Sequence, residues 1–153
     1  MRISAKTDYA IRAAVELASR SPAGELVKAE TVAEAQKIPL RFLLTILSEL
    51  RHSGLVESRR GQDGGYRLAR PAATIAVADV IRAIDGPLAN VAGTRPEALE
   101  LSGSAEPLRE VWISLRSSIR AVLEHVTLAD VVARDLPGDV TAMAEKPDAW
   151  LPR

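Results

Sequence analysis

Residues Thr31 to Arg70 read TVAEAQKIPLRFLLTILSELRHSGLVESRRGQDGGYRLAR, and this stretch decides the fold. Thr31 and Glu34 have capping-box spacing, which predicts a short helix over about 32–36. Lys37-Ile38-Pro39 cannot prolong it, because proline lacks an amide hydrogen and drives the preceding residue out of helical geometry. A second helix then spans roughly 40–53. At about 100° per residue, Phe42, Leu43, Ile46, Leu47 and Leu50 fall on one face, read as the core side. Arg41, Thr45, Ser48 and His52 fall on the other, and Gly54 is the expected left-handed cap. A short helix, a tight turn and a longer helix make a helix-turn-helix.

Two strand-like runs follow, Leu55–Arg59 and Tyr66–Ala69, joined by Arg60-Gly61-Gln62-Asp63-Gly64-Gly65. The three glycines can take the positive φ of a hairpin, so the expected structure is a wing beside the second helix. Arg59, Arg60, Arg67 and Arg70 would line it with cations. A phosphate-cradling loop of a nucleotide-binding protein is the competing reading; this loop lacks the lysine of a P-loop and is not followed by a helix.

Outward from this stretch, residues 5–20 form a helix with a single polar stripe of Asp8, Arg12, Glu16 and Ser19, ended by Pro22 and Gly24. Residues 77–85 form another, stopped by Gly86 and Pro87. Residues 88–106 read as an irregular connector, with a turn of helix near 96–101. From Pro107, the residues Leu108, Trp112, Leu115, Ile119, Val122 and Val126 recur at alternating spacings of four and three. That heptad spacing suits a helix packed lengthwise on another. Packing on the chain's own N-terminal part is the alternative to a homodimer seam, with Trp112 as anchor. Thr127 and Asp130 cap a last short helix to about Arg134, and the chain from Pro137 reads as a poorly ordered tail. The expected divisions are a DNA-binding domain over 1–86, a connector over 87–106, a dimerisation unit over 107–136 and a tail over 137–153. The fold class is mainly α with a small β-wing.

Composition narrows the chemistry. The chain has 153 residues, 47 % of them apolar, which suits one core. Twenty Lys and Arg balance twenty Asp and Glu, yet residues 1–70 hold twelve basic against eight acidic residues and 37–70 seven against three. A neutral chain with one basic segment presents one face to a polyanion. With no cysteine and only two histidines, disulfides, thiol nucleophiles and cysteine-ligated metals are excluded. No Ser/His/Asp constellation appears, and His52 and His125 read as helix-terminal residues favoured by the dipole. The charged N-terminus and the absence of a long apolar run point to a soluble cytoplasmic protein with no membrane partner.

DYAIRAAVELA (Asp8–Ala18), IPLRFLLTILSELRHSGLVESRRG (Ile38–Gly61), GGYRLARP (Gly64–Pro71) and TLAD (Thr127–Asp130) occur in order over about residues 1–135. In this the chain resembles the Rrf-two family of bacterial winged helix-turn-helix transcription regulators, the group of IscR, NsrR and CymR. The resemblance implies a homodimer crossed through the long helix, binding an inverted-repeat operator and usually repressing. Members that sense iron, nitric oxide or redox state hold an iron–sulfur cluster through three cysteines in the connector, with a carboxylate matching Asp8 as a fourth ligand in some. This chain has no cysteine, so no cluster and no other cofactor is expected. Asp8 then reads as an acid near a helix start. Positions matching Leu44 and Thr45 are often Glu or Gln in relatives; a leucine can meet a thymine methyl but cannot hydrogen-bond a base.

The expected function is therefore a sequence-specific DNA-binding regulator of double-stranded DNA. Arg41, Thr45 and Ser48 would face the major groove, Thr31 and the nearby amides a phosphate, and Arg59 and Arg60 the minor groove or its edge. Leu40, Leu44 and Tyr66 are counted with the same face. A small molecule or partner protein would act through the connector, with Asn90, Arg95 and Trp112 as candidate effector residues. The alternative is a winged helix that binds an acidic protein and not specific DNA.

Overall fold

The computed structural model describes residues 3–152; Met1, Arg2 and Arg153, the outermost residues of the expected first and last segments, lie outside the described residues. Helix α1 (Ala5–Arg20) begins where the Ser4 hydroxyl accepts the Thr7 amide at 3.1 Å. Its buried face is Thr7, Ala10, Ala13, Ala14 and Leu17. Three alanines on one face let neighbours approach closely, and α1 packs against four other helices.

Helix α2 (Ala29–Gln36) ends on Lys37 in the left-handed region at φ 53°, and α3 (Leu40–His52) starts after Pro39. The turn is the predicted one. The start of α2 is not, because Thr31 sits inside the helix, whose N-cap is Lys28. A tertiary contact decides this. Val27 exchanges both backbone hydrogen bonds with Tyr66 at 2.8 Å, which holds the chain extended up to Lys28 and brings Ala29 onto the buried face. Helix α3 closes with Gly54 at φ 76°, the Gly54 amide on Arg51 O and the Leu55 amide on Leu50 O. That pair of bonds is a Schellman motif.

Strands β1 (Val56–Arg59) and β2 (Gly65–Leu68) pair antiparallel with Arg59 opposite Gly65. Gly61 has φ 104°, as a hairpin requires. Gly64 is needed for a different reason: a Cβ there would lie 2.1 Å from Arg59 O. Helix α4 (Val77–Asp85) follows and stops at Gly86. The connector holds two 3₁₀ turns, Pro96–Ala98 and Gly103–Ala105, and leads into α5 (Leu108–Leu123).

One core joins α1, α2, α3, the wing base, Ile75, Val80 and Leu128. Leu128 belongs to α6 (Leu128–Ala133), capped by the predicted Thr127–Asp130 box. The chain therefore returns after α5 to complete the first domain. Backbone bonds from Val77 to Val126 O and from Leu128 to Ile75 O, both 2.9 Å, hold it there. A smaller cluster of Ala78, Ile81 and Leu88 takes Ile119 and Leu123 of α5 against α4. The expected tail contains a further helix, α7 (Gly138–Ala144), and a 3₁₀ turn, Pro147–Trp150, closed by the Trp150 indole donating to Ala144 O at 2.5 Å. Among the described residues, no helix is long and apolar enough to cross a membrane.

Candidate nucleic-acid interface

Helix α3 buries Leu43, Ile46, Leu47 and Leu50 and turns Leu40, Arg41, Leu44 and Thr45 outward, with Ser48 half-buried. Phe42 departs from its predicted place in the core. It is 40 % exposed and sits at the rim, its ring meeting Tyr9 edge-on at 5.8 Å. Thr45 Oγ1 donates weakly to Arg41 O at 3.4 Å, and His52 Nδ1 lies 2.6 Å from Ser48 O at the helix end. The single acid of the helix, Glu49, is matched by Lys6 at 2.8 Å. The outer face thus carries no uncompensated negative charge.

The cations of this half of the molecule divide into two sets. Arg67 lies opposite Glu57 in the hairpin, pairs with it at 3.0 Å and also donates to Gly24 O. Arg70 pairs with Asp79 at 3.0 Å and donates to Thr74 O. These two do not line the wing as free cations, since cross-strand and inter-element geometry brings each a carboxylate. In contrast, among the described residues no carboxylate lies within ion-pair distance of Arg41, Arg51, Arg59 or Arg60. Arg59 and Arg60 are exposed at the wing, Arg51 donates to Ser58 Oγ, and Lys28 donates to Gln62 O at the wing loop. Lys28 and Arg51 were not singled out from the sequence; nothing but the folded hairpin puts them next to the wing.

Two candidates are placed differently from their neighbours. Thr31 is half-buried in the first turn of α2 rather than its cap. Lys28 supplies no side-chain cap to the amides that open α2. Tyr66 is half-buried against the core, so its ring supports the wing more than it projects from it.

The heptad stripe of α5 is shared between two tasks. Ile119 and Leu123 pack inward on α4, Trp112 and Val122 are half-buried, and Leu108, Val111 and Leu115 are 43, 52 and 43 % exposed. Val126 is a correction, as it lies past the end of the helix and is only 7 % exposed inside the chain's own core. Val111, on the open edge, escaped the sequence reading because it is off the strict a/d register. His125 likewise follows the helix instead of ending it. It meets Asp139 at 3.1 Å, and that hydrogen bond holds the Asp139 carboxyl below its ordinary range.

The three effector candidates are not brought together. Asn90 and Trp112 line one hollow of about 520 Å³ with Val91 and Pro96. Arg95 belongs to a separate one with Arg82, Arg116 and Arg120.

A winged helix-turn-helix whose outer helix face has its one acid, Glu49, paired with Lys6, and whose wing carries Arg59 and Arg60 with no ion-pair partner among the described residues, is the architecture of a DNA-binding transcriptional regulator. The family model described as Rrf2, iron-dependent transcriptional regulator, matches residues 3–134, and the chain belongs to that family. A chain of Mycobacterium tuberculosis (strain H37Rv), Rv1287, provisionally named an HTH-type transcriptional regulator, is 50 % identical over 145 residues, which is 95 % of this chain and 89 % of that one. CymR of Bacillus subtilis (strain 168), an HTH-type transcriptional regulator, is 34 % identical over 133 residues, 87 % of this chain and 91 % of CymR. Among solved structures, that of CymR, the global cysteine regulator of B. subtilis, superposes with a TM-score of 0.73 at 32 % identity, covering 88 % of this chain and 98 % of that one. T. potens IscR gives 0.67 at 29 % identity, covering 100 % and 93 %.

The family description raises the question of iron. The chain has no cysteine, and the connector offers only the carboxylates of Glu97, Glu100 and Glu106. Among the described residues no three His, Asp or Glu side chains converge as metal ligands. Asp8 stands in the first turn of α1, paired with Arg12 at 3.1 Å. Iron–sulfur clusters require soft thiolate donors, so these residues do not fit one.

Proposed function

We propose that this protein is a sequence-specific DNA-binding repressor that acts as a homodimer on an inverted-repeat operator in the bacterial cytoplasm. The observation that carries the reading is the segregation of charge. Among the described residues, Arg41, Arg59 and Arg60 have no ion-pair partner around α3, while Arg67 and Arg70 are neutralised internally. Arg41, Leu44, Thr45 and Ser48 read the major groove, with Leu40 at the helix start beside the backbone. The open amides of α2 near Thr31 hold a phosphate, and Arg59 and Arg60, on the wing that Tyr66 supports, reach the minor groove or its phosphates. The exposed edge of α5, Leu108, Val111 and Leu115, supports pairing with a second copy, which sets two reading heads about one helical turn or a multiple apart. Regulation acts through the connector, by a small molecule or a partner protein and not by a cluster.

Exposed Leu40, Phe42 and Leu44 favour a second reading, a module that docks an acidic protein through a partly apolar face. Fluorescence anisotropy with DNA from upstream of its own gene, with and without excess non-specific duplex, separates the two. Binding that survives the competitor supports the repressor; no binding to any upstream fragment overturns it.

A further inference from the structure

Outside the reading face, a dense cluster of charge lies where α4, the connector and α5 meet. Arg82 from α4, Arg95 and Glu97 from the connector, and Arg116 and Arg120 from α5 line one hollow of about 300 Å³ floored by Pro87 and Leu88. Four guanidinium groups there face one lining carboxylate. Glu97 bonds Arg116, while Glu124 bonds both Arg82 and Arg120, the latter at 3.0 Å. Asp79 reaches Arg82 at 3.6 Å, but its other oxygen is held by Arg70 at 3.0 Å, so its charge is already matched. The local balance is four cations against two anions. Arg95 makes no side-chain hydrogen bond among the described residues, and its charge acts on Glu97. Both glutamates are held below their ordinary range, Glu97 first by its own backbone amide and then by Arg116, Glu124 chiefly by its hydrogen bond with Arg82.

We propose that this hollow is the effector site, and that its ligand is a small dianionic oxyanion, a dicarboxylate or a phosphate or sulfate group. Two negative charges match the excess. Arginine forks bind planar carboxylates and tetrahedral oxyanions in bidentate fashion. The lining contains no aromatic ring to stack on a nucleobase, and the size suits a compact polar molecule. Its oxygens compete with Glu97 for Arg116, and the Glu97–Arg116 pair is one of the ties between the 96–98 turn and α5, beside the packing of Pro96 near Trp112 and Leu115. Occupancy therefore changes how the connector is held between reading head and helix, a coupling that rests on the proposed DNA-binding function. Anion binding itself does not.

Calorimetry on the intact protein without DNA, at fixed ionic strength and with succinate, phosphate and sulfate as probes and acetate and chloride as monovalent controls, tests the site. At least one dianion is expected to bind saturably and about tenfold or more tighter than acetate, with Arg95→Gln weakening it about tenfold. Preference for succinate over the two inorganic anions identifies a dicarboxylate, and the reverse an inorganic oxyanion group. The Arg95 side chain is exposed and has no hydrogen-bonded partner among the described residues, so an unchanged thermal melt is expected for that variant. Absence of saturable binding for all three dianions, or equal affinity in Arg95→Gln, overturns the site. Adding the bound dianion to the anisotropy assay is expected to shift DNA affinity about threefold or more in the native protein and not in Arg95→Gln; equal DNA affinity with the site filled overturns its regulatory role. If no DNA is bound at all, the calorimetric arm still decides the anion site, so the two failures are distinguishable.

Discussion

Arg67 faces Glu57 directly across the two-stranded wing and pairs with it at 3.0 Å, which removes one of the four wing arginines from the surface charge available to a ligand. Arg59, one strand end away and opposite Gly65, has no such neighbour. The wing therefore offers a small number of committed cations rather than a diffuse positive ribbon.

That difference sets the first prediction. Arg59→Ala and Arg60→Ala each weaken operator binding and lower the slope of log affinity against log salt concentration by about one, while Arg67→Ala leaves the slope unchanged. Anisotropy titrations between about 50 and 200 mM salt measure it. Equal slopes for all three variants would contradict the assignment.

Leu44 is 43 % exposed on α3, away from the packed face. Leu44→Ala should leave the melting temperature within experimental scatter and cost about 1 kcal/mol in binding the specific operator, with no loss on random duplex. A loss of the same size on random DNA would show that Leu44 does not read sequence.

The two parts of the late sequence should separate by mutation. Val111→Asp with Leu115→Asp puts charge on the open edge of α5 and should give monomers in sedimentation at micromolar concentration with the winged core intact. Leu128→Ala, at a fully buried position in the winged core, should lower unfolding free energy by about 2–5 kcal/mol in a denaturant titration. A dimer that persists in the first variant removes α5 as the seam.

Asp130 accepts hydrogen bonds from the Thr127 amide at 2.8 Å and the Thr127 hydroxyl at 2.7 Å, which together hold its carboxyl below the ordinary aspartate range. A depressed folded value means the bonded carboxylate contributes stability that is fully present above about pH 4 and is lost as pH falls through the lower folded value. Asp130→Asn should therefore lower the melting temperature at pH 7, and the gap to the native protein should close on acidification into that window. A gap independent of pH would mean that charge at this cap contributes nothing.

Much of the architecture was legible because it is written in local rules. The boundaries of α1 and α4, the Lys37-Ile38-Pro39 turn, the Gly54 cap, the Thr127–Asp130 box and the hairpin follow from capping chemistry, proline and glycine geometry and apolar periodicity, each acting within a few residues. Leu44 was legible as an outward residue for the same reason, since its angle on the helix is a property of spacing alone.

What the sequence determined, then, was the set of main elements as far as α6, the basic segment that carries the reading head, and the lack of sulfur ligands for a cluster. Tertiary structure decided which charges remain available. Glu57 and Arg67, Asp79 and Arg70, Glu49 and Lys6 meet only when separate elements pack, so no count along the chain could show that Arg67 is paired while Arg59 and Arg60 have no ion-pair partner among the described residues. It likewise buried Val126, brought Leu128 into the main core, started α2 at Ala29, put Phe42 at the rim and gathered four arginines from three segments. The physical reason is range: capping and periodicity are settled within a turn or two of backbone, whereas burial and ion pairing depend on contacts between residues tens of positions apart.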